Sequence, residues 1–302
     1  MKYLILVTIL LSAKFVLANS FQCHNLFAEA VEPLNPRTGE INYKVFGGEH
    51  SETIVMIPGL DSAMQTFFNV TRPLAQKYRV VVLDQRGHGQ SVEKGDNYSS
   101  EVLARDVKVL LDHLSVQKAH VLGHSMGART AARLALMYPD VVKSLIIEDM
   151  ELISRGSGSL EKYSDEIAQM RALPKKFASR AELIASLTPL FGDEAESLSY
   201  RRARENTDGS IELLFRPHVS VIYGVQGNVE NLLTPARDIK APILVMVANP
   251  KKGTAVSANG LRAFERLPQA KIQKFENAGH VIHRSDEAKF LETLADFIEK
   301  NK

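Results

Sequence analysis

The sequence predicts an α/β protein built on a doubly wound, mostly parallel sheet with a helical cap insertion. Three observations support this prediction. Short apolar runs alternate with longer helical patterns from about residue 40 onward. Most of these runs are continuously apolar, which is typical of strands covered on both faces. The alternation stops between about residues 151 and 240, where helical patterns follow one another without strands.

Composition places the chain among ordinary globular proteins. It has 302 residues, of which 45% are hydrophobic and 24% are charged. A single cysteine excludes a disulfide framework and any multi-cysteine metal site. The formal net charge of +2 lacks the strong basic surplus that nucleic-acid binding needs, so we expect no nucleic-acid partner.

Seven β-branched, apolar runs are the predicted strands. They are residues 41–46, 53–57, 79–83, 119–122, 144–148, 243–247 and 271–275. Strand–helix–strand units cross over with one hand, so consecutive units build one open sheet with helices on both faces.

Three helices in this pattern have clear boundary signals. A serine pair followed by Glu101 starts a helix with one apolar face. A second helix over residues 126–138 must stop before Pro139, because the residue before a proline disfavours helical backbone. A final helix follows Asp286, which is a good N-terminal cap.

Residues 151–240 are too long for a crossover and too structured for a loop. They contain Gly156-Ser157-Gly158 and then helical patterns near residues 160–173, 181–187 and 194–205. We therefore predict that this segment is a helical cap over one end of the sheet. It would separate a first part of the core, residues 19–150, from a second part, residues 241–302.

The N-terminus has the pattern of a secretory signal peptide. Lys2 precedes an apolar run over residues 3–13, and small or apolar residues lead to Ala18. This pattern predicts cleavage after residue 18 and export to the periplasm or the medium. Lys14 interrupts the run well short of the ~20 residues that span a bilayer, so we expect no stable membrane anchor.

The strongest local motif is Gly123-His124-Ser125-Met126-Gly127. A strand pattern precedes it and a helical pattern follows it, which is the context of a Gly-x-Ser-x-Gly nucleophile turn. The serine of such a turn has a strained backbone, and the flanking glycines avoid collisions with neighbouring main chain. The motif predicts Ser125 as a nucleophile that needs a histidine base and an orienting acid.

His280 is the predicted base. It follows the last strand and precedes the last helix, at the carboxyl edge of the sheet where active sites of open α/β sheets collect. His283 lies three residues further on, and a His-x-x-His pair can indicate a metal site. No acidic ligand pattern accompanies the pair, so we interpret His283 as a packing or surface residue and expect no metal.

These features resemble the α/β-hydrolase superfamily, specifically its cap-bearing serine esterase and lipase-like branch. The resemblance covers about residues 41–300. It depends on Pro58-Gly59-Leu60, the Asp84–Ser91 segment, the Ser125 motif and Gly279-His280. It implies a Ser–acid–His triad and a helical cap.

The acid departs from the usual pattern of the resembled family. That pattern has an aspartate after the penultimate strand, but no Asp or Glu occurs between Asp238 and Glu265. A minority of relatives place the acid at the end of the preceding strand, where this chain has Glu148 and Asp149. Adjacent strand residues point to opposite faces, so only one of them can turn toward His280. The resemblance favours Asp149, with Glu148 as the alternative.

Two backbone N–H groups are predicted to form the oxyanion hole. One belongs to Met126, directly after the nucleophile, and the other to Leu60, in the loop after the strand at 53–57. Most relatives have a histidine where this chain has Pro58, but the change leaves the backbone donor intact.

Together, the motifs and the resemblance predict a serine hydrolase of small-molecule carboxylic esters that needs no cofactor. A carbon–carbon bond hydrolase and a cofactor-free perhydrolase would share this machinery. A non-catalytic member that binds a small ligand under its cap is a third alternative, supported only by the missing acid after residue 247.

Overall fold

The computed structural model describes residues 32–154 and 160–302. The predicted signal peptide and Gly156-Ser157-Gly158 therefore lie outside the described residues. The strands of the described part, numbered along the chain, are β1 (Tyr43–Phe46), β2 (Thr53–Ile57), β3 (Arg79–Leu83), β4 (Ala119–His124), β5 (Val142–Glu148), β6 (Lys176–Phe177), β7 (Ala203–Glu205), β8 (Ile211–Leu213), β9 (Ile243–Ala248) and β10 (Ala270–Phe275).

The first five and last two strands form the central sheet, in the order β1-β3-β2-β4-β5-β9-β10. Strand β1 pairs antiparallel with β3, and every other pair is parallel. The predicted doubly wound, mostly parallel sheet is confirmed. The carboxyl ends of β2, β4, β5, β9 and β10 consequently share one edge, where ligands bind in open α/β sheets.

Helices cover both faces of the central sheet and form much of the insertion. They are α1 (Phe68–Leu74), α2 (Ser100–His113), α3 (Met126–Met137), α4 (Ser164–Arg171), α5 (Arg180–Phe191), α6 (Glu194–Arg201), α7 (Pro217–Gln226), α8 (Leu233–Ala236), α9 (Ala258–Phe264), α10 (Ile282–Ser285) and α11 (Glu287–Glu299).

Continuous burial explains why the strands have no polar alternation. All five residues of β2 are buried, because both faces of the strand are covered. Val55 and Ile57 face a layer that includes α2 and α3, whereas Ile54 and Met56 face the layer of α1 and α11. The two hydrophobic layers hold the strand ends in a fixed register.

The insertion contains a small sheet that the sequence pattern missed. Strands β6, β8 and β7 form a three-stranded antiparallel sheet within residues 176–213. The helical pattern expected over 194–205 stops at Arg201, and β7 follows. Strands of two or three residues are too short to show a period, which is why periodicity did not reveal them.

The insertion packs on the central sheet through apolar side chains. Val219 and Ile222 of α7 form one hydrophobic cluster with Tyr98, Leu103 and Met126 of the core. Met126 directly follows Ser125, so the insertion lies beside the nucleophile turn. In the described ranges, no helix is both long and apolar enough to cross a membrane.

A buried ion pair anchors the turn after β3. The Arg86 guanidinium donates to both carboxylate oxygens of Asp106, at 2.8 and 2.7 Å. It also donates to the carbonyls of Lys94 and Glu32, at 2.7 and 2.9 Å. Arg86 is 0% exposed, so each of these contacts replaces water that the folded chain excludes.

We predict that Arg86→Met destabilises the fold by about 3–5 kcal/mol, because it leaves the Asp106 carboxylate buried without a counter-charge. Urea unfolding would measure the loss. Arg105→Met is the matched control, since Arg105 pairs with Glu101 on the outer face of α2 and should contribute less than about 1 kcal/mol. Equal losses for both variants would contradict this account of Arg86.

Candidate active site

Ser125 lies in a strained turn between β4 and α3. Its backbone has φ 52° and ψ −121°, in the left-handed half of conformational space that non-glycine residues avoid. Such strain costs about 1–3 kcal/mol and persists only where the surroundings enforce it. Here the Ser125 N–H donates to the Glu148 carbonyl at 3.0 Å, which holds the turn against the end of β5.

Steric contacts require both glycines of the turn. A Cβ at Gly123 would lie 2.1 Å from the Gly127 carbonyl oxygen, and a Cβ at Gly127 would lie 2.2 Å from the Ile57 carbonyl oxygen. Both neighbours are main-chain atoms, which cannot move aside as a flexible side chain can. Close packing against main-chain atoms therefore explains why glycines stand two residues before and two residues after Ser125.

The structure places Asp149 against His280. Asp149 Oδ2 lies 2.7 Å from His280 Nδ1. Asp149 directly follows β5 and has φ 47°, so its side chain turns toward the loop after β10. Its side chain is fully buried, whereas the His280 side chain is 38% exposed and accessible from the edge of the sheet.

Three further donors hold the Asp149 carboxylate. Oδ1 accepts from the Ala248 N–H at 2.9 Å and the Thr254 hydroxyl at 2.6 Å, and Oδ2 accepts from the Ala255 N–H at 2.9 Å. Burial by itself would raise the pKa of Asp149. Hydrogen bonds from His280, Thr254 and the two N–H groups outweigh burial and lower that pKa below its usual value. Near neutral pH the Asp149 carboxylate is thus an ionised hydrogen-bond acceptor.

Glu148 points away from His280 and binds His283 instead. Its Oε1 accepts from the His283 N–H at 2.9 Å and lies 2.8 Å from His283 Nδ1. Both side chains are 0% exposed. Burial would raise the pKa of Glu148, but the attraction of the His283 and His124 rings and the hydrogen bonds from His283 hold it well below its usual value. From the sequence, we interpret His283 as a packing or surface residue. The structure shows that it is a packing residue in the interior.

His124 connects the nucleophile turn with the candidate base. Burial lowers the pKa of His124 to about 4, so its ring is neutral near pH 7. Its Nε2–H donates to the His280 carbonyl at 3.0 Å, and the two rings lie 4.7 Å apart between centroids. Within the described residues, no hydrogen bond joins Ser125 to His280. Such bonds are often long without substrate and tighten in the substrate complex.

The two candidate oxyanion donors lie free beside Ser125. Among the described residues, the N–H groups of Leu60 and Met126 donate to no protein acceptor. A Cβ on Gly59 would lie 3.0 Å from the Ser125 Cβ, which shows how closely this loop approaches the nucleophile turn. N–H groups at such a position can donate hydrogen bonds to a developing oxyanion.

Gln85 supports the loop that carries Leu60, a role that sequence analysis did not identify. Gln85 Nε2 donates to the Pro58 carbonyl at 2.7 Å, and Gln85 Oε1 accepts from the Thr130 hydroxyl at 2.8 Å. The side chain thereby ties the loop after β2 to helix α3. The only signal in the sequence was its place in the Asp84–Ser91 segment.

The insertion contacts the same loop from outside. Arg202 donates to the Asp61 carbonyl, and the Ser220 hydroxyl donates to the Asp61 carboxylate. Leu60 packs against the apolar cluster that includes Met126 and Val219. Leu60 and Met126 therefore share one apolar cluster with the insertion, beside the polar contacts of Asp61. In the described part of the chain, no group of three or more His, Cys, Asp or Glu side chains is arranged to hold a metal ion.

Comparisons with known proteins agree with this architecture. Mouse sn-1-specific diacylglycerol lipase ABHD11 is 26% identical over 265 residues, which cover 85% of each chain. N-formylmaleamate deformylase of Pseudomonas putida is 26% identical over 265 residues, covering 85% of this chain and 92% of the relative. Both are similar to this chain along most of its length.

Solved structures show the same fold. A marine microorganism esterase superposes with a TM-score of 0.66 at 20% identity, covering 85% of this chain and 98% of the other. E-2-(acetamidomethylene)succinate hydrolase superposes with a TM-score of 0.65 at 22% identity, covering 86% of this chain and 95% of the other. The sequence model described as alpha/beta hydrolase fold matches residues 52–286. This match spans both parts of the sheet and the insertion, and it shows that the chain belongs to the α/β hydrolase fold family.

Proposed function

We propose that this protein is a serine hydrolase of carboxylic esters, with Ser125 as nucleophile, His280 as base and Asp149 as orienting acid. The observation that carries the proposal is the 2.7 Å contact between His280 Nδ1 and Asp149, at the edge of the sheet where the strained Ser125 turn lies. Because Nδ1–H donates to the acid, Nε2 is left as the basic nitrogen.

The reaction proceeds in two acyl transfers. The Ser125 oxygen attacks the acyl carbon while its proton passes to His280 Nε2, and the carbonyl oxygen becomes an oxyanion. His280 then gives the proton to the leaving alcohol as the carbon–oxygen bond breaks. Water repeats the sequence on the acyl-enzyme, which releases the acid and restores Ser125.

Asp149 and the two free N–H groups serve the charged stages of this cycle. Ionised Asp149 stabilises the imidazolium that forms when His280 takes the proton. The N–H groups of Leu60 and Met126 meet the oxyanion, and one such donor typically contributes about 2.7–4 kcal/mol to transition-state stabilisation. Neither contribution requires movement of the backbone at the moment of reaction.

The apolar cluster that Leu60 and Met126 share with the insertion favours an ester with an apolar acyl group. The name of the mouse diacylglycerol lipase points to an ester, whereas N-formylmaleamate deformylase is named for removal of an N-formyl group. A series of nitrophenyl esters of graded chain length, run beside matching anilides, would separate these substrate classes. Export through residues 1–18 is part of this proposal, so the ester would be met outside the cytoplasm.

We expect a fluorophosphonate probe to label the purified protein at Ser125 and to block turnover of nitrophenyl esters. Ser125→Ala should abolish both, because Ser125 supplies the hydroxyl at the strained turn. Intact-mass measurement and peptide mapping would locate the label. A folded wild-type protein that neither reacts with the probe nor hydrolyses any ester would indicate a ligand-binding member of the family instead.

Asp149→Asn should lower kcat by about 10⁴-fold, because an amide holds the wrong imidazole tautomer and cannot stabilise the imidazolium. Steady-state kinetics on the preferred nitrophenyl ester would measure this loss. Asp140→Asn is the matched control, since Asp140 is exposed beyond the opposite end of β5 and should leave kcat unchanged. Similar rates for Asp149→Asn and the wild type would remove Asp149 from the mechanism.

The stability of the fold should depend on pH through Asp149. Its pKa in the folded state is lowered, so its stabilising contribution is present above the unfolded-state pKa and is lost as pH falls through the folded-state value. We expect Asp149→Asn to cost about 1–3 kcal/mol at pH 7. Urea unfolding should show this difference shrinking as the pH falls below about 4, and a difference independent of pH would contradict an ionised Asp149.

A further inference from the structure

A second carboxylate–histidine pair lies directly behind the proposed triad. Glu148 and His283 are both 0% exposed, and the proposed mechanism uses neither of them. Two Glu148 oxygens lie 2.8 and 2.9 Å from His283 Nδ1. A buried carboxylate is costly unless it is hydrogen-bonded, and His283 supplies the hydrogen bonds that the Glu148 carboxylate accepts here.

Glu148 contacts both halves of the proposed machinery. Its backbone carbonyl accepts from the Ser125 N–H at 3.0 Å, and its side chain accepts from the His283 N–H at 2.9 Å. His283 is three residues after His280, in the same short connection between β10 and α11. Glu148 therefore ties the nucleophile turn to the segment that carries the base.

The other contacts of His283 complete this attachment. Its Nε2 lies 3.0 Å from the Thr66 hydroxyl, which can donate or accept and so suits either protonation state of the ring. Its carbonyl accepts from Asn69 Nδ2 at 2.6 Å. The ring packs against Phe67 with 4.6 Å between centroids. His283 is thus held on every polar atom.

We propose that Glu148 and His283 are positioning residues, which fix the 280–283 segment so that His280 meets Asp149 on one side and faces Ser125 on the other. This inference rests on the proposed function. His124 supplies a second hold on the same segment, through its hydrogen bond to the His280 carbonyl. A displacement of about 1 Å at a reacting group can cost roughly 100-fold in rate, so a segment this short needs such holds.

Glu148 does not serve as a substitute acid. Asp149 and Glu148 are adjacent, and their carboxylates bind His280 and His283 respectively. A move of Glu148 toward His280 would leave the buried His283 without its carboxylate partner. Asp149 therefore binds the proposed base, and Glu148 holds the segment that carries this base.

The protein contains a matched control pair at the opposite edge of the sheet. His120 is also 0% exposed, with Nε2 3.1 Å from Glu52 and Nδ1 2.7 Å from the Ser144 hydroxyl. It lies near the start of β4, whereas Ser125 follows the end of that strand. A strand rises about 3.3 Å per residue, so this pair is roughly 15 Å from the nucleophile turn.

We expect His283→Gln to lower kcat by about 10- to 100-fold with KM changed less than about twofold, and to slow fluorophosphonate labelling in parallel. His120→Gln should lower the urea midpoint about as much as His283→Gln does. It should nevertheless leave kcat and the labelling rate within about twofold of the wild type. Glu148→Gln should resemble His283→Gln, because an amide offers one acceptor oxygen where the carboxylate offers two.

A spectroscopic readout separates positioning from stability. The downfield NMR proton resonance of the His280–Asp149 hydrogen bond, assigned by its loss in Asp149→Asn, should broaden or vanish in His283→Gln and persist in His120→Gln. Retention of the resonance and of kcat in His283→Gln would overturn the positioning role.

Misfolding of a variant and failure of the proposed function would each give a different result from loss of positioning. If His283→Gln does not fold, Thr66→Val removes only the contact at Nε2 and should lower kcat in the same direction; unchanged kcat in both Thr66→Val and Glu148→Gln would refute the inference. If the fluorophosphonate does not label the wild type at all, the proposed function fails. The resonance of the His280–Asp149 hydrogen bond in His283→Gln and His120→Gln would still decide whether Glu148 and His283 hold the 280–283 segment.

Discussion

A backbone hydrogen bond from the Ser125 N–H to the Glu148 carbonyl sets the geometry on which the candidate site depends. It exists because β4 and β5 are parallel neighbours that end in register, with His124 opposite Glu148. The turn after one strand therefore meets the carboxylates at the end of the other. The packing of two hydrophobic layers on the sheet maintains that register, and with it the strained backbone at Ser125.

The two acidic residues at the end of β5 bind two different histidines. Asp149, with a positive φ, turns to His280, whereas Glu148 stays within the strand and binds His283. One histidine is partly exposed and the other fully buried. A carboxylate–histidine pair thus supports proton transfer at the partly exposed position, in the function proposed here, and a second such pair forms a buried attachment beside it.

The loop after β9 is joined to the acid although it contains none. Thr254 and the Ala255 N–H donate to the Asp149 carboxylate. This loop supplies donors that lower the pKa of the Asp149 carboxylate at the end of the neighbouring strand. Gln85 has a comparable indirect position, because it holds the loop of Leu60 rather than any reacting group.

The sheet, the Ser125 turn and the short list of candidate partners could be predicted from the amino-acid sequence, because they depend on local signals: apolar runs, glycine spacing and strand ends. The sequence could not choose between Asp149 and Glu148 from the residues alone, nor assign His283 and Gln85. It also missed strands β6, β7 and β8, which are too short to have a period. Those features were decided by tertiary structure, because which atoms meet depends on strand register and on the direction in which a buried polar side chain finds its hydrogen-bond partners.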